Sequence, residues 1–184
     1  KMGKKLNNFI TLKQVFDGRH ERLTRAYEPL AVRQLVLNSH YRSPLDFSDA
    51  ALYAAQSGYE KITTAVVAVR KQENSAPEGD ADPKVFEELK KLTEKFEAAM
   101  NDDLNTSVAV SVVFELVRLA NGMLGNNNVT KGTLDAVDRL FRTLGGDVLG
   151  IVRDTYAMTE ISAAEHQKLV RLVDFLIEQR DKAR

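Results

Sequence analysis

Apolar residues recur at steps of three and four along most of this chain, and that period predicts helices. The clearest case follows Ser48, where Leu52, Ala55, Tyr59, Ile62, Val66 and Val69 hold one seam. Ser48 is a good N-cap for it. The stretch 65–69 is rich in valine, but the longer helical frame outweighs its β-branched character. Thr11 to Phe16 reads as a short helix capped by Thr11 and closed by Gly18. Pro29 opens another, with Leu30, Val32, Leu35 and Val36 behind it, ending near His40 before the turn signal Ser43-Pro44. Pro83 starts a helix whose stripe is Phe86, Leu89, Leu92, Phe96, Ala99 and Met100. Residues 101–106 break it, and Asn105 or Thr106 caps the next stripe of Ala109, Val112, Val113, Leu116, Ala120 and Met123. Leu134, Val137, Leu140, Phe141 and Leu144 mark a helix expected to end at Gly145-Gly146. A last helix is expected from about Glu160 to Arg184, with Leu169, Leu172, Val173 and Leu176 inward. Residues 72–83 read as a disordered linker, and 125–128 as a loop. With no strand alternation and no internal repeat, the expected class is all-α: an antiparallel helical bundle preceded by a short loop and helix segment.

Composition narrows the chemistry. At 184 residues the chain can bury one or two modest cores, and its 43% hydrophobic and 28% charged content is ordinary for a globular protein. It holds no cysteine, which excludes a disulfide, a thiolate zinc site and a cysteine nucleophile within it. His20, His40 and His166 lie far apart in sequence, so no metal site is expected here. No apolar run approaches a membrane span and no signal-peptide pattern opens the chain, so a cytoplasmic protein without membrane contact is expected. The net charge of zero hides an asymmetry. Residues 1–45 hold nine Lys/Arg against three Asp/Glu, and the excess of acid lies after them. The first part suits an anion such as ATP or an RNA backbone.

That basic part begins Lys1-Met2-Gly3-Lys4-Lys5-Leu6-Asn7-Asn8-Phe9. Crowded ammonium groups repel and require a polyanion or open solvent, and Gly3 frees the backbone between them. Two readings follow: a flexible clamp for a triphosphate, or a frayed basic terminus. The abrupt opening at Lys1 and the absence of a stop signal before Arg184 lead us to expect a piece of a longer protein.

Four stretches resemble one family. Residues 1–9 resemble the KMSKS loop of class I aminoacyl-tRNA synthetases, K-M-S-K-S-L-x-N-F, with Gly3 and Lys5 in place of its serines. Residues 27–33, Tyr-Glu-Pro-Leu-Ala-Val-Arg, look like the opening of a DALR anticodon-binding domain. Residues 39–48 resemble S-x-H-Y-R-S-P-L-x-F-S, and residues 99–106 resemble A-M-D-D-D-F-N-T, both associated with the cysteinyl-tRNA synthetase family. In the second of these, Asn101 stands for an aspartate, Leu104 for a phenylalanine and Ser107 for the proline that follows.

The resemblance implies a C-terminal fragment of an enzyme that activates cysteine with ATP and Mg2+ and transfers it to tRNA(Cys). Lys1, Met2, Gly3 and Lys4 would contact ATP, with Lys4 the lysine that steadies the departing pyrophosphate and Lys1 a positioning contact. Residues 1–26 would then be the loop and connecting segment, and 27–184 the DALR-like tRNA-binding bundle, interrupted by the linker 72–83. The HIGH motif and the ligands of the family's Zn2+ are absent from this chain, so zinc is expected only in a catalytic domain outside it, and the piece alone is expected to be inactive. Arg19, Arg22 and Arg25 are candidate tRNA contacts. For His40, Tyr41 and Arg42 two readings stand: a stacking ring, a phosphate donor and an imidazole for tRNA, or Tyr41 packed at a helix end with Arg42 paired to a carboxylate such as Asp46. Arg33 is expected in a structural ion pair, Asp102-Asp103 in a capped helix break, and His166 on a solvated face. A paralogous ATP-dependent cysteine ligase of the mycothiol type, and a non-catalytic helical interaction module, are the alternatives.

Overall fold

The computed structural model describes residues 9–126 and 128–156. Residues through Asp154 form one compact unit, whose described part is taken up below. It contains six α-helices and one π-helix: α1 (Leu12–Asp17), α2 (Pro29–Leu37), α3 (Asp49–Glu73), α4 (Pro83–Asn101), α5 (Thr106–Met123), α6 (Lys131–Leu140) and the π-helix Phe141–Val148. No strand occurs among the described residues. The expected helix from Glu160, with Leu169, Leu172, Val173, Leu176 and His166, lies outside the described residues.

Local chemistry sets the ends. Thr11 forms a capping box with Gln14, and Gly18 closes α1 in the left-handed region at φ 66°. Pro29 occupies the first turn of α2, where its missing N–H is no loss. The side chains of Ser48, Asp82, Asn105 and Thr130 each accept a backbone N–H at the start of α3, α4, α5 and α6. All six seam residues predicted for α3 are buried. Burial of this one stripe, at roughly 1.5–3 kcal/mol per large side chain, explains why α3 is the longest helix and the hub.

Four helices close a ring. α3 packs against α5 and α6, and α4 packs against the same two. Consecutive helices alternate in direction, as expected of an antiparallel bundle. The side-by-side pair α3 and α5 nonetheless runs the same way: their C-terminal ends meet where Gln72 Nε2 donates to the Asn126 carbonyl and the Gly125 N–H donates to Gln72 Oε1. α4 and α6 likewise start together, with the Asp82 N–H donating to Thr133 Oγ1 at 2.9 Å. The connections therefore cross the ends of the bundle. α2 lies on the outside of α3, and Val15, Leu23, Tyr27, Val32, Leu35, Leu52 and Ala55 form a shared core there. The segment before α2 is thus packed into the same core as the helices that follow it.

Four expectations are corrected. Residues 72–83 are no disordered linker: α3 takes Gln72 and Glu73, α4 takes Pro83, and the rest is strapped to the start of α6. Lys131 and Gly132 donate their N–H groups to the carbonyls of Pro77 and Gly79, and Thr130 Oγ1 donates to the Asp80 carbonyl at 2.7 Å. Second, Gly145-Gly146 does not end the helix, which widens into the π-helix and passes through both glycines. Missing a Cβ, Gly145 lets Val152 fold back on it, and its carbonyl accepts the N–H groups of Ile151 and Val152 at 2.7 and 2.9 Å. Third, Val36 and Phe86, expected on buried stripes, are 52% and 57% exposed; Phe86 instead rims a groove with Leu89, Thr93, Ala136 and Leu140. Fourth, α5 does reach the length and apolarity of a membrane span. Its apolar residues are spent on the bundle, with Ala109, Val112, Val113, Leu116 and Ala120 all buried.

Candidate nucleic-acid interface

Two patches carry the residues singled out from the sequence. The first is the loop from Gly18 to Glu28. A Cβ on Gly18 would stand 2.6 Å from the Ala26 nitrogen, so glycine lets the loop close on itself. Leu23 and Tyr27 anchor it in the core. Asp49, in the first turn of α3, fastens it further: its carboxylate accepts from Tyr27 Oη at 2.6 Å, from the Thr24 N–H at 3.0 Å and from Thr24 Oγ1 at 2.9 Å. These donors, the tyrosine hydroxyl foremost, hold the Asp49 carboxyl below its usual range. Burial first, then the bond to Asp49, pushes the Tyr27 hydroxyl up.

With the loop's apolar and acceptor groups turned inward, its guanidinium groups are left outside. Arg19, Arg22 and Arg25 are exposed, and no carboxylate forms an ion pair with any of them among the described residues. Arg25 lies over the Tyr53 ring at 4.8 Å. His20 Nδ1 accepts the Arg22 N–H and shapes the turn.

The second patch joins two segments far apart in sequence. Asp103 and Leu104, at the α4–α5 corner, both adopt left-handed backbone at φ 53° and 54°. Aspartate tolerates this region better than most residues. The turn aims Asp103 at the end of α2. Its Oδ1 accepts from Tyr41 Oη at 2.8 Å and from Arg42 Nη2 at 3.2 Å. Oδ2 lies 3.1 Å from the same Arg42 nitrogen and 3.8 Å from His40 Nε2. Arg42 Nε donates to Tyr41 Oη, and the His40 and Tyr41 rings stack with centroids 4.8 Å apart. The bond to Asp103 is the main reason the Tyr41 hydroxyl is pushed up. Arg42 is therefore paired to a carboxylate, but not to Asp46, which accepts from Ser48 Oγ. Tyr41 is not packed at a helix end; it is 61% exposed.

The remaining candidates fall elsewhere. Lys1, Met2, Gly3 and Lys4 lie outside the described residues. Arg33 forms no structural ion pair; its Nη1 donates to the Gly150 carbonyl at 2.8 Å. No group of three His, Asp or Glu residues suited to a metal occurs among the described residues. Sequence reasoning missed the roles of Asp49 and Asp103. An acid just after the Ser48 cap is a signal for the first, since carboxylates favour a helix N-terminus. It also missed Asp138, which is 3% exposed and accepts from Arg70 Nε and Arg142 Nε, each at 2.7 Å. Only the Asp138–Arg142 half, spaced i,i+4, is visible in a linear reading.

Comparison with known proteins adds the family. Residues 95–153 match the DALR domain. The match begins inside α4 and not at Tyr27, where its opening was expected. Over its whole length the chain is similar to the cysteine–tRNA ligase of Bacteroides fragilis, with 37% identity across 35% of that protein. The cysteine–tRNA ligase of Chlorobaculum tepidum gives the same identity and share, and that of Porphyromonas gingivalis 33% across 36%. The chain thus spans about a third of the length of the curated relatives it matches. The stretches at 39–48 and 99–106, which carried the resemblance, are the ones joined through Asp103. The chain belongs to the cysteine–tRNA ligase family, over the part of it that carries the DALR domain.

Proposed function

We propose that this chain serves a cysteine–tRNA ligase as its ATP-handling lysine loop and its tRNA-contacting helical bundle. The carrying observation is that the whole chain aligns with ligases of that name while its two most family-like segments meet at one carboxylate. The relatives' names favour this reading over an amino-sugar ligase or a non-catalytic module. In the proposed division, residues 1–26 are the loop and its connection, and the bundle begins at 27. The complete enzyme would join cysteine to ATP, with Mg2+, and pass it to tRNA(Cys). Zinc would be held by residues outside this cysteine-free chain.

Each residue has a physical task in this scheme. Adenylate formation shifts negative charge onto a departing pyrophosphate, and an ammonium group placed there stabilises the transition state more than the ground state. Lys4 takes that task, with Lys1, Met2 and Gly3 holding the loop on the phosphates. Arg19, Arg22 and Arg25, exposed and without acid partners, take RNA phosphates. Arg42, Tyr41 and His40, already satisfied in part by Asp103, offer a stacked edge to the same RNA.

The test uses the full-length enzyme. Lys4→Ala should slow ATP–pyrophosphate exchange and leave tRNA(Cys) affinity unchanged. Replacing Arg19, Arg22 and Arg25 together by alanine should raise the KM for tRNA and flatten its salt dependence, by about one unit of log–log slope per phosphate contact removed. Unaltered exchange in the first variant refutes the role of Lys4. An unaltered salt slope in the second refutes the loop as an RNA contact.

A further inference from the structure

α1 buries only Val15, yet it is rigidly displayed, with a capping box at one end and a left-handed glycine at the other. Its opposite side is apolar. Leu12 and Phe16, one turn apart, are 57% and 37% exposed, and Phe9 just before them is 45% exposed. Exposed leucine and phenylalanine side by side on a six-residue helix are costly unless something covers them. Next to them, Arg25 lines a small cavity with Phe16 and lies over Tyr53, itself 49% exposed. The patch is therefore apolar with one cationic border.

From this we infer that the Leu12–Phe16 face of α1 is a docking surface for the ATP-binding part of the same polypeptide. The inference rests on the proposed function and adds to it the surface that joins the two parts. Two observations select that occupant over a second copy or a foreign protein. The chain covers about a third of the length of its relatives, so most of a family member lies outside it. Lys4 is also separated from Phe9 by only five residues. A chain reaches at most ~3.3–3.6 Å per residue, so Phe9 lies within roughly 18 Å of the Lys4 backbone. If Lys4 meets ATP, α1 must sit against the surface around the nucleotide. The facing surface must be apolar opposite Leu12 and Phe16, with an acceptor or carboxylate near Arg25. Docking there would also set where the lysine loop begins, linking the bundle's position to the phosphates.

Hydroxyl-radical footprinting of the full-length enzyme, without tRNA, tests this directly. Leu104 is an internal control of the same residue type and the same 57% exposure as Leu12, and Phe86 serves for Phe16. Leu12 should oxidise several-fold more slowly than Leu104, and Phe16 more slowly than its exposure relative to Phe86 allows. Leu12 oxidised at the rate of Leu104 or faster overturns the inference. The Lys4→Ala variant separates this from the parent reading. Loss of exchange with an unprotected Leu12 removes the docking surface alone. Retained exchange removes the ATP reading, and the footprint still decides the interface.

Discussion

Asp138 offers a sharp test of how the bundle holds its end. Its carboxylate is buried and accepts from two guanidiniums at once: Arg70, whose side chain is 18% exposed, and Arg142, at 49%. Asparagine has nearly the same shape but one acceptor oxygen; its amide nitrogen would face the second guanidinium, donor against donor. Asp138→Asn therefore strands one arginine. Stranding the buried Arg70 costs ~3–5 kcal/mol in comparable settings. Arg70 Nη1 keeps the Arg153 and Asp154 carbonyls at 2.9 Å, which places the expected loss at the low end, about 3 kcal/mol. Arg142 stands half in water, so Arg142→Ala should cost only ~0–1 kcal/mol. Urea unfolding followed by circular dichroism measures both. An Asp138→Asn loss below ~1 kcal/mol, or equal losses in the two variants, refutes the assignment of a buried hub with one essential partner.

Other consequences are equally open to measurement. Asp49 has its folded pKa lowered beneath the ordinary 3.8, so its contribution is complete above that value and is lost as the pH falls through the folded one. Asp49→Ala should accordingly lower stability at neutral pH and shrink the decline on acidification, in unfolding curves taken at a series of pH values. In Asp103→Asn the left-handed corner survives while the Tyr41 hydroxyl loses its charged acceptor, so its spectrophotometric titration should move back toward the ordinary 10.0. Gly132→Ala would set a Cβ 2.5 Å from the Gly79 carbonyl oxygen, an overpacking cost of ~1–3 kcal/mol. Faster hydrogen exchange at the Lys131 and Gly132 amides would report the loosened strap, and unchanged exchange would show that the strap gives way harmlessly.

The α3 seam could be read from the sequence because one residue in each turn had to be apolar and nothing competed with that demand. The same reading placed Phe86 and Val36 inside, because a period marks a face and not how far a neighbouring helix covers it. The segment before α4 misled through composition: Pro77, Gly79 and Asp80 look disordered, yet what orders them is their backbone carbonyls, which carry no sequence signature. The glycine pair at 145–146 signals a stop only if the helix keeps its usual hydrogen-bond step. At the candidate interface, residue types were legible and partners were not. Arg42 had a carboxylate near in sequence, Asp46, and took one 61 positions away because the α4–α5 corner turns left-handed.

The π-helix has an evolutionary corollary. Removing a single residue between Phe141 and Val148 would allow ordinary α-type bonding, and would turn everything downstream by about 100° around the axis. The carbonyl of Gly150 would swing away from Arg33, and those of Arg153 and Asp154 from Arg70. Descendants with such a deletion would need compensating changes at both arginines, so length in this short stretch should vary less among functional copies than side-chain identity does.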